Sequence, residues 1–236
     1  MQIKVIVTGS TKWDRFIGRW GVSFLIGEDI LFDTFGEPYT FLNNIQKMNI
    51  DIPKIKHIII SHDDWDHISG LWYIINRYKD LNVYICPNFK QRIKDRIESF
   101  RVNIIEANGL LGIKGDIFST GQMDGKSEGR IISEQSLVIK TTDGLIVITG
   151  CAHPGIINIV ENVKKQFKEN IHLVLGGLHL KGYTEEQIYE LTSKLRNYRV
   201  NKIAPSHCTG ELAIKLIKKE YNNNFIQMKQ GSIIEI

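Results

Sequence analysis

The densest concentration of chemistry-bearing side chains is Ser61-His62-Asp63-Asp64-Trp65-Asp66-His67-Ile68-Ser69-Gly70, which sets two imidazoles and three carboxylates within six residues. Histidine offers a neutral nitrogen and aspartate an ionised oxygen at neutral pH, so this set suits a divalent metal. If the chain is extended here, His62, Asp64 and Asp66 alternate onto one side while His67 points elsewhere, an arrangement better matched to two neighbouring ions than to one. The plainer reading makes Asp66 a helix cap and leaves Asp63 and Asp64 solvated. That reading has to explain separately why, of seven histidines, His62, His153, His179 and His207 each stand just past an apolar strand. Ligands of α/β sheets bind beyond the carboxyl ends of the strands, so these four can converge although they are spread over 145 positions.

Such convergence requires a particular frame. Ile3 to Val7, Val22 to Ile26 and Ile30 to Phe32 read as strands, the last two joined by a Gly27-Glu28-Asp29 turn. Helical spacing of Phe41, Leu42, Ile45 and Met48 follows, then a buried strand from His57 to Ile60, a helical face of Leu71, Ile74, Ile75 and Tyr78, and a strand from Val83 to Pro87. Gly109 to Gly129 carries six of the 20 glycines without clear period and reads either as a mobile excursion of the kind placed over active sites or as an ordinary surface connection. Beyond it, Leu137 to Ile139 and Leu145 to Ile148 form a hairpin turning at Asp143-Gly144. Two further units alternate helix and strand: Ile156, Ile159, Val160, Val163 and Phe167 before strand Leu173 to Leu175, and a Thr184 to Gln187 capping box opening a helix before strand Lys202 to Ala204.

Five segments in order resemble the metallo-β-lactamase superfamily. Its His-x-His-x-Asp-His signature reads here as His62-x-Asp64-x-Asp66-His67. The others are Gly21 to Ile26 with Ile30 to Thr34, Thr149-Gly150-Cys151-Ala152-His153-Pro154-Gly155, Gly176-Gly177-Leu178-His179-Leu180, and Pro205-Ser206-His207-Cys208-Thr209-Gly210. The branch most similar is that of dihydropterin ribofuranosyl-aminobenzene phosphate synthase-like metal-dependent hydrolases. The resemblance implies a four-layer αββα sandwich and two divalent ions, one held by His62, Asp64 and His153, the other by Asp66, His67 and His207. It implies hydrolysis of a phosphoester or related ester by a metal-bound hydroxide, which Asp66 orients. A pterin-linked synthase and a non-hydrolytic metal or oxygen sensor are its alternatives. His179 falls outside the six ligands and is expected either to serve the substrate, as a proton donor to the leaving group, or to be held by backbone at a strand end.

Asp64 stands where the superfamily usually has histidine. It makes the site one charge less positive and tilts an expected zinc preference toward manganese or iron. At Thr120 to Gly125 the branch's arginine-bearing element is missing, so Arg15, Arg19 or Arg130 is left to meet an anion. The stretch from Trp13 to Trp20 that holds the first two reads as a long loop after the first strand, either a wall of the site or simply solvated with two partly buried tryptophans. Cys151 and Cys208 flank two of the implied ligands and read either as metal-adjacent thiols or as small buried fillers.

Composition agrees with this picture. With 236 residues, 42% hydrophobic, the chain is expected to be a single domain. A net charge of +4 allows a small anionic substrate but gives no stripe for nucleic acid. Three scattered cysteines and an interrupted apolar start are consistent with a reducing, cytoplasmic setting and no membrane span.

Overall fold

The computed structural model describes residues 1–9 and 11–236. The chain runs as β1 (Gln2–Gly9), α1 (Lys12–Phe16), β2 (Gly21–Ile26), β3 (Ile30–Phe32), α2 (Pro38–Lys47), β4 (His57–Ile59), α3 (Trp65–Ile68), α4 (Leu71–Arg77), β5 (Asn82–Ile85), α5 (Gln91–Ser99) and β6 (Asn103–Glu106). It continues through β7 (Leu111–Lys114), β8 (Ile117–Ser119), β9 (Met123–Ser127), β10 (Arg130–Glu134), β11 (Leu137–Thr141), β12 (Gly144–Thr149), α6 (Ile156–Phe167), β13 (Ile171–Gly177), α7 (Glu185–Asn197), β14 (Lys202–Ser206), α8 (Glu211–Tyr221) and β15 (Ile233–Glu235). Two compact units result, one of residues 1–108 with 229–236, the other of residues 109–228.

Among the described residues, the first unit carries a seven-stranded sheet ordered β15-β1-β2-β3-β4-β5-β6. It is antiparallel from β15 to β3 and parallel from β3 to β6. Parallel neighbours need crossovers, and α2, α4 and α5 supply them. Their apolar faces close a core in which Phe41, Ile45, Leu71, Ile74, Ile75 and Ile97 pack with Ile6, Leu25, Leu31, Ile58 and Val83. Val5, Phe24, Phe32 and Ile59, on the alternate positions of the same strands, are also buried. Strands buried on both faces lose the polar alternation of a half-exposed strand, which is why β2 and β3 read as apolar runs interrupted only by the buried Ser23.

The second unit holds a six-stranded sheet ordered β14-β13-β12-β11-β8-β7 and a separate β9–β10 hairpin. Its β12, β13 and β14 are parallel and are crossed by α6 and α7. Ile156, Ile159, Val160, Val163, Ile188, Leu195 and Ile217 pack with Val138, Val147, Val174 and Ile203. The Thr184 capping box forms as expected, with the Thr184 hydroxyl accepting from the Gln187 N–H and the Gln187 side chain accepting in return.

Two expectations are corrected. Gly109 to Gly129 is ordered sheet: β7, β8 and β9, paired antiparallel with one another or with β10 and β11. Strands of three to five residues separated by glycine turns are too short to show a period. The stretch around Trp13 to Trp20 is not a plain loop either, because Thr11 and Asp14 form a reciprocal capping box that opens α1. Trp13 is 65% exposed while Trp20 is buried with the Arg15 guanidinium over its ring. Among the described residues, no helix is long and apolar enough to cross a membrane.

Candidate functional site

In the first unit, β3 and β4 are parallel neighbours whose chains leave the sheet side by side at Asp33 and Ser61. Asp33 has φ +54, the left-handed region that a side chain with a Cβ enters at a cost. That turn aims its carboxylate across to the next strand. Fully buried, Asp33 accepts from the Ser61 N–H at 2.7 Å, from the Ser61 hydroxyl at 2.8 Å and from His67 Nδ1 at 2.6 Å. Because the Ser61 hydroxyl spends its proton on Asp33, it must accept at its other contact, His62 Nδ1 at 2.8 Å. Both imidazoles therefore donate from Nδ1 and turn Nε2 to the opposite side of the ring.

Nε2 of each ring faces a carboxylate. Asp64 Oδ2 lies 4.0 Å from His62 Nε2, and Asp66 Oδ2 lies 3.4 Å from His67 Nε2. His62 and Asp64 alternate as expected, but α3 begins at Trp65, so Asp66 and His67 project from a helical turn instead of an extended chain. Asp64 is the N-cap of α3, yet its side chain makes no capping hydrogen bond, and Asp63 is bonded to Lys90. Close approach of α3 to the sheet depends on Gly21, where a β-carbon would lie 1.7 Å from the Asp66 carbonyl oxygen. Burial works against the charged form of His67, but Asp66 and then Asp33 outweigh it and hold its pKa well above the ordinary value. Burial likewise lifts the Asp33 carboxyl, against the pull of His67 and Ser61.

The second unit repeats the device on β12, β13 and β14. Ala152, His179 and His207 all adopt positive φ just past these strands, at +62°, +53° and +54°. Glu134, fully withdrawn from solvent at the end of β10, accepts from the N–H groups of Cys151, Ala152 and His153, each at 2.8 Å. Its Oε2 also accepts from His153 Nδ1 at 2.9 Å, so this imidazole too presents Nε2. His207 is completely buried. The His179 ring lies 4.5 Å from that of His153, centroid to centroid, and contacts the Cys208 thiol. Burial would raise the Cys208 thiol, but its hydrogen bond to Cys151 and the charges of His207 and His179 carry it well below the usual value.

Each unit thus assembles its own sequence-expected residues: His62, Asp64, Asp66 and His67 in the first, His153, His179 and His207 in the second. Asp33, Ser61 and Glu134 escaped the sequence reading as functional residues. Asp33 carried a weak signal, an acid directly after an apolar strand, whereas Glu134 sits on a short hairpin strand with no pattern to mark it. The donor chemistry fits a divalent transition metal, since imidazoles anchored through Nδ1 by carboxylate or hydroxyl partners and accompanied by carboxylate oxygens are the arrangement such ions select.

A profile described as the Metallo-beta-lactamase superfamily matches residues 21–207. A 7,8-dihydropterin-6-methyl-4-(beta-D-ribofuranosyl)-aminobenzene-5'-phosphate synthase of Methanocaldococcus jannaschii is 28% identical, over 93% of this chain and 91% of its own. An uncharacterized protein of the same organism is 30% identical, over 99% of this chain and all of its own. Among solved structures, a metal-dependent hydrolase of the β-lactamase superfamily superimposes with TM-score 0.80 at 27% identity, covering 100% of this chain and 99% of that one.

Proposed function

Because the chain belongs to the metallo-β-lactamase superfamily, we propose that it is a metal-dependent hydrolase acting on a phosphoester or related ester of a small, anionic molecule. One observation carries this reading: His62, His67 and His153 are each fixed through Nδ1, by Ser61, Asp33 and Glu134, so that Nε2 is the nitrogen available to a metal. His62, Asp64 and His153 would hold one divalent ion, and Asp66, His67 and His207 a second. Such ions supply Lewis acidity and lower the pKa of water at neutral pH. The chain's own part is to orient. Asp33 and Glu134 lock the imidazole tautomers, the carboxylates of Asp64 and Asp66 bring negative charge beside Nε2 of His62 and His67, and Asp66 positions the attacking water. The solved hydrolase at 27% identity supports the reaction class.

Zinc is the expected metal of this donor set, with manganese or iron favoured by the oxygen ligand Asp64. The expected result is about two ions per chain in protein purified without added metal, together with hydrolysis of a generic phosphodiester that His62→Ala and His153→Ala abolish. Fewer than about one ion per chain under every condition would remove the dinuclear reading. Unchanged hydrolysis in His62→Ala would remove the site itself.

A second reading is favoured by the relative whose name denotes a pterin-linked phosphate synthase, 28% identical across nearly the whole chain. It requires a cation for the phosphate. Arg15 and Arg19, on and beside α1, are the candidates, and synthase activity that persists after both are changed to alanine would count against it.

A further inference from the structure

The strands β12, β13 and β14 are parallel neighbours, and at their carboxyl ends Thr149 lies opposite Gly176 and Gly176 opposite Pro205. Their chains therefore leave the sheet at one level, about 4.8 Å apart. Cys151 comes two residues after Thr149, His179 three after Gly176, and Cys208 three after Pro205. That placement gathers two thiols and an imidazole whose ligand atoms all lie within 4.8 Å of one another. Both cysteines are buried, at 4% and 7% exposure. Room for the cluster depends on Gly177, where a β-carbon would lie 2.7 Å from Cys208 Sγ and 3.2 Å from Cys151 Cα.

His179 is set apart from the three histidines anchored through Nδ1. Its own Nδ1 is buried and has no hydrogen-bond partner among the described residues. No acceptor at Nδ1 fixes the ring as one does for His62, His67 and His153, and beside the His153 ring it hydrogen-bonds Cys208. Two sulfurs and one nitrogen are soft donors, unlike the imidazole and carboxylate set assigned above. They select d10 ions such as Cu(I) and Zn(II) over manganese or magnesium.

We propose that Cys151, His179 and Cys208 form a further metal site, for a thiophilic d10 cation, with donors separate from those of the hydrolytic centre. Bonds of about 2.3 Å to sulfur and about 2.0 Å to nitrogen place the ligand atoms of a bound ion on the order of 4 Å apart, so the cluster needs only a small contraction. Each thiol releases its proton on ligation, and the two thiolates neutralise a dication or leave Cu(I) with one excess negative charge.

The test uses full-length protein. In a His62→Ala/His67→Ala variant, which lacks both imidazole ligands of the first unit, Cd(II) as a zinc surrogate and, separately, Cu(I) buffered by a chelator are titrated while the thiolate-to-metal charge-transfer absorption is followed. One equivalent is expected with each ion. Adding Cys208→Ser or His179→Ala should weaken it at least tenfold, whereas Cys86→Ser should not. X-ray absorption at the copper edge of wild-type protein carrying one equivalent of Cu(I) should find two sulfur scatterers, a readout that needs no variant to fold. One sulfur or none overturns the proposal. So does charge-transfer absorption that survives Cys208→Ser and is lost in Cys151→Ser, because Cys151 would then be serving a hydrolytic ion. Loss of phosphodiesterase activity in His62→Ala bears on the hydrolytic reading alone, so the two can fail independently.

Discussion

At the scale of single residues, the most consequential side chain is Glu134. One buried carboxylate takes three consecutive backbone N–H groups and the Nδ1 proton of His153, which fixes both the path of residues 151–153 and the tautomer of the imidazole. Glutamine in its place keeps the shape but turns an acceptor into an NH2 donor. Wherever that NH2 points, it opposes either backbone N–H groups or the Nδ1 proton. The easiest relief is for His153 to shift its proton to Nε2, the nitrogen required by a metal. Glu134→Gln should therefore weaken metal affinity by about 10–100-fold, the usual effect of losing such an outer partner. It should also cost about 1–3 kcal/mol of stability through the unsatisfied buried donors. A chelator-competition titration checks the first effect and denaturant unfolding the second. Affinity equal to wild type would mean that His153 does not ligate through Nε2. Asp33→Asn sets the same conflict at His67 Nδ1 and at the two Ser61 donors, and a similar loss of affinity is expected in the same titration.

At the scale of elements, α2 offers a separable test. Its N-cap is Glu37, whose carboxylate accepts from the N–H groups of Tyr39 and Thr40 at 2.8 and 2.7 Å. Burial pushes the Glu37 pKa up, but these hydrogen bonds, with Arg19 nearby, outweigh it and set the pKa below the ordinary value. A carboxyl with a depressed folded-state pKa contributes stability above its unfolded pKa of about 4.3 and loses it as pH falls through the folded value. Glu37→Ala should thus cost about 1 kcal/mol at neutral pH. The difference from wild type should hold constant above about pH 5 and shrink toward pH 3. Urea melts of the two proteins across that range give the comparison, and a difference that grew on acidification would refute the cap.

The same elements show what the sequence could express. The mainly apolar run at Val22 to Ile26, the continuous one at Leu145 to Ile148 and the helical stripe of Ile156 to Phe167 are long enough for their pattern to survive, and they mark β2, β12 and α6 within a few residues. The α5 helix did not stand out because Ile93 and Ile97 are its only apolar residues, and two of them one turn apart are too few to show a stripe. The strands β7 to β10 were hidden by their brevity and by glycine turns. In the candidate site, histidines after strands announce themselves by type, but their partners do not. Asp33 and Glu134 are identified by where a left-handed turn or a hairpin end delivers one carboxylate, and no local spacing encodes that delivery.

At the scale of the whole molecule, the superfamily match runs from residue 21 to 207 and so takes in residues of both compact units, and the ligands proposed here are likewise contributed by both. A metal that binds the folded chain and not the unfolded one adds stability of RT ln(1 + [M]/Kd), about 2.7 kcal/mol when the ion is at a hundred times its dissociation constant. For a chain of this length each kcal/mol moves the melting temperature by about 2–4 °C, so stripping the metal with excess chelator should lower it by about 5–10 °C. The fall should be reversed by adding the metal back, and it should be absent in a His62→Ala/His153→Ala variant, which has lost a ligand from each unit. Hydrogen exchange sharpens the result, because binding energy is felt where the ligands are. Chelation should speed exchange at residues 61–67 and at residues 151–153 together, while β1 and α7, which carry no ligand, stay protected. A response confined to one of the two segments would show that the metal is held by that unit's residues alone, and the ligand set drawn from both units would have to be abandoned.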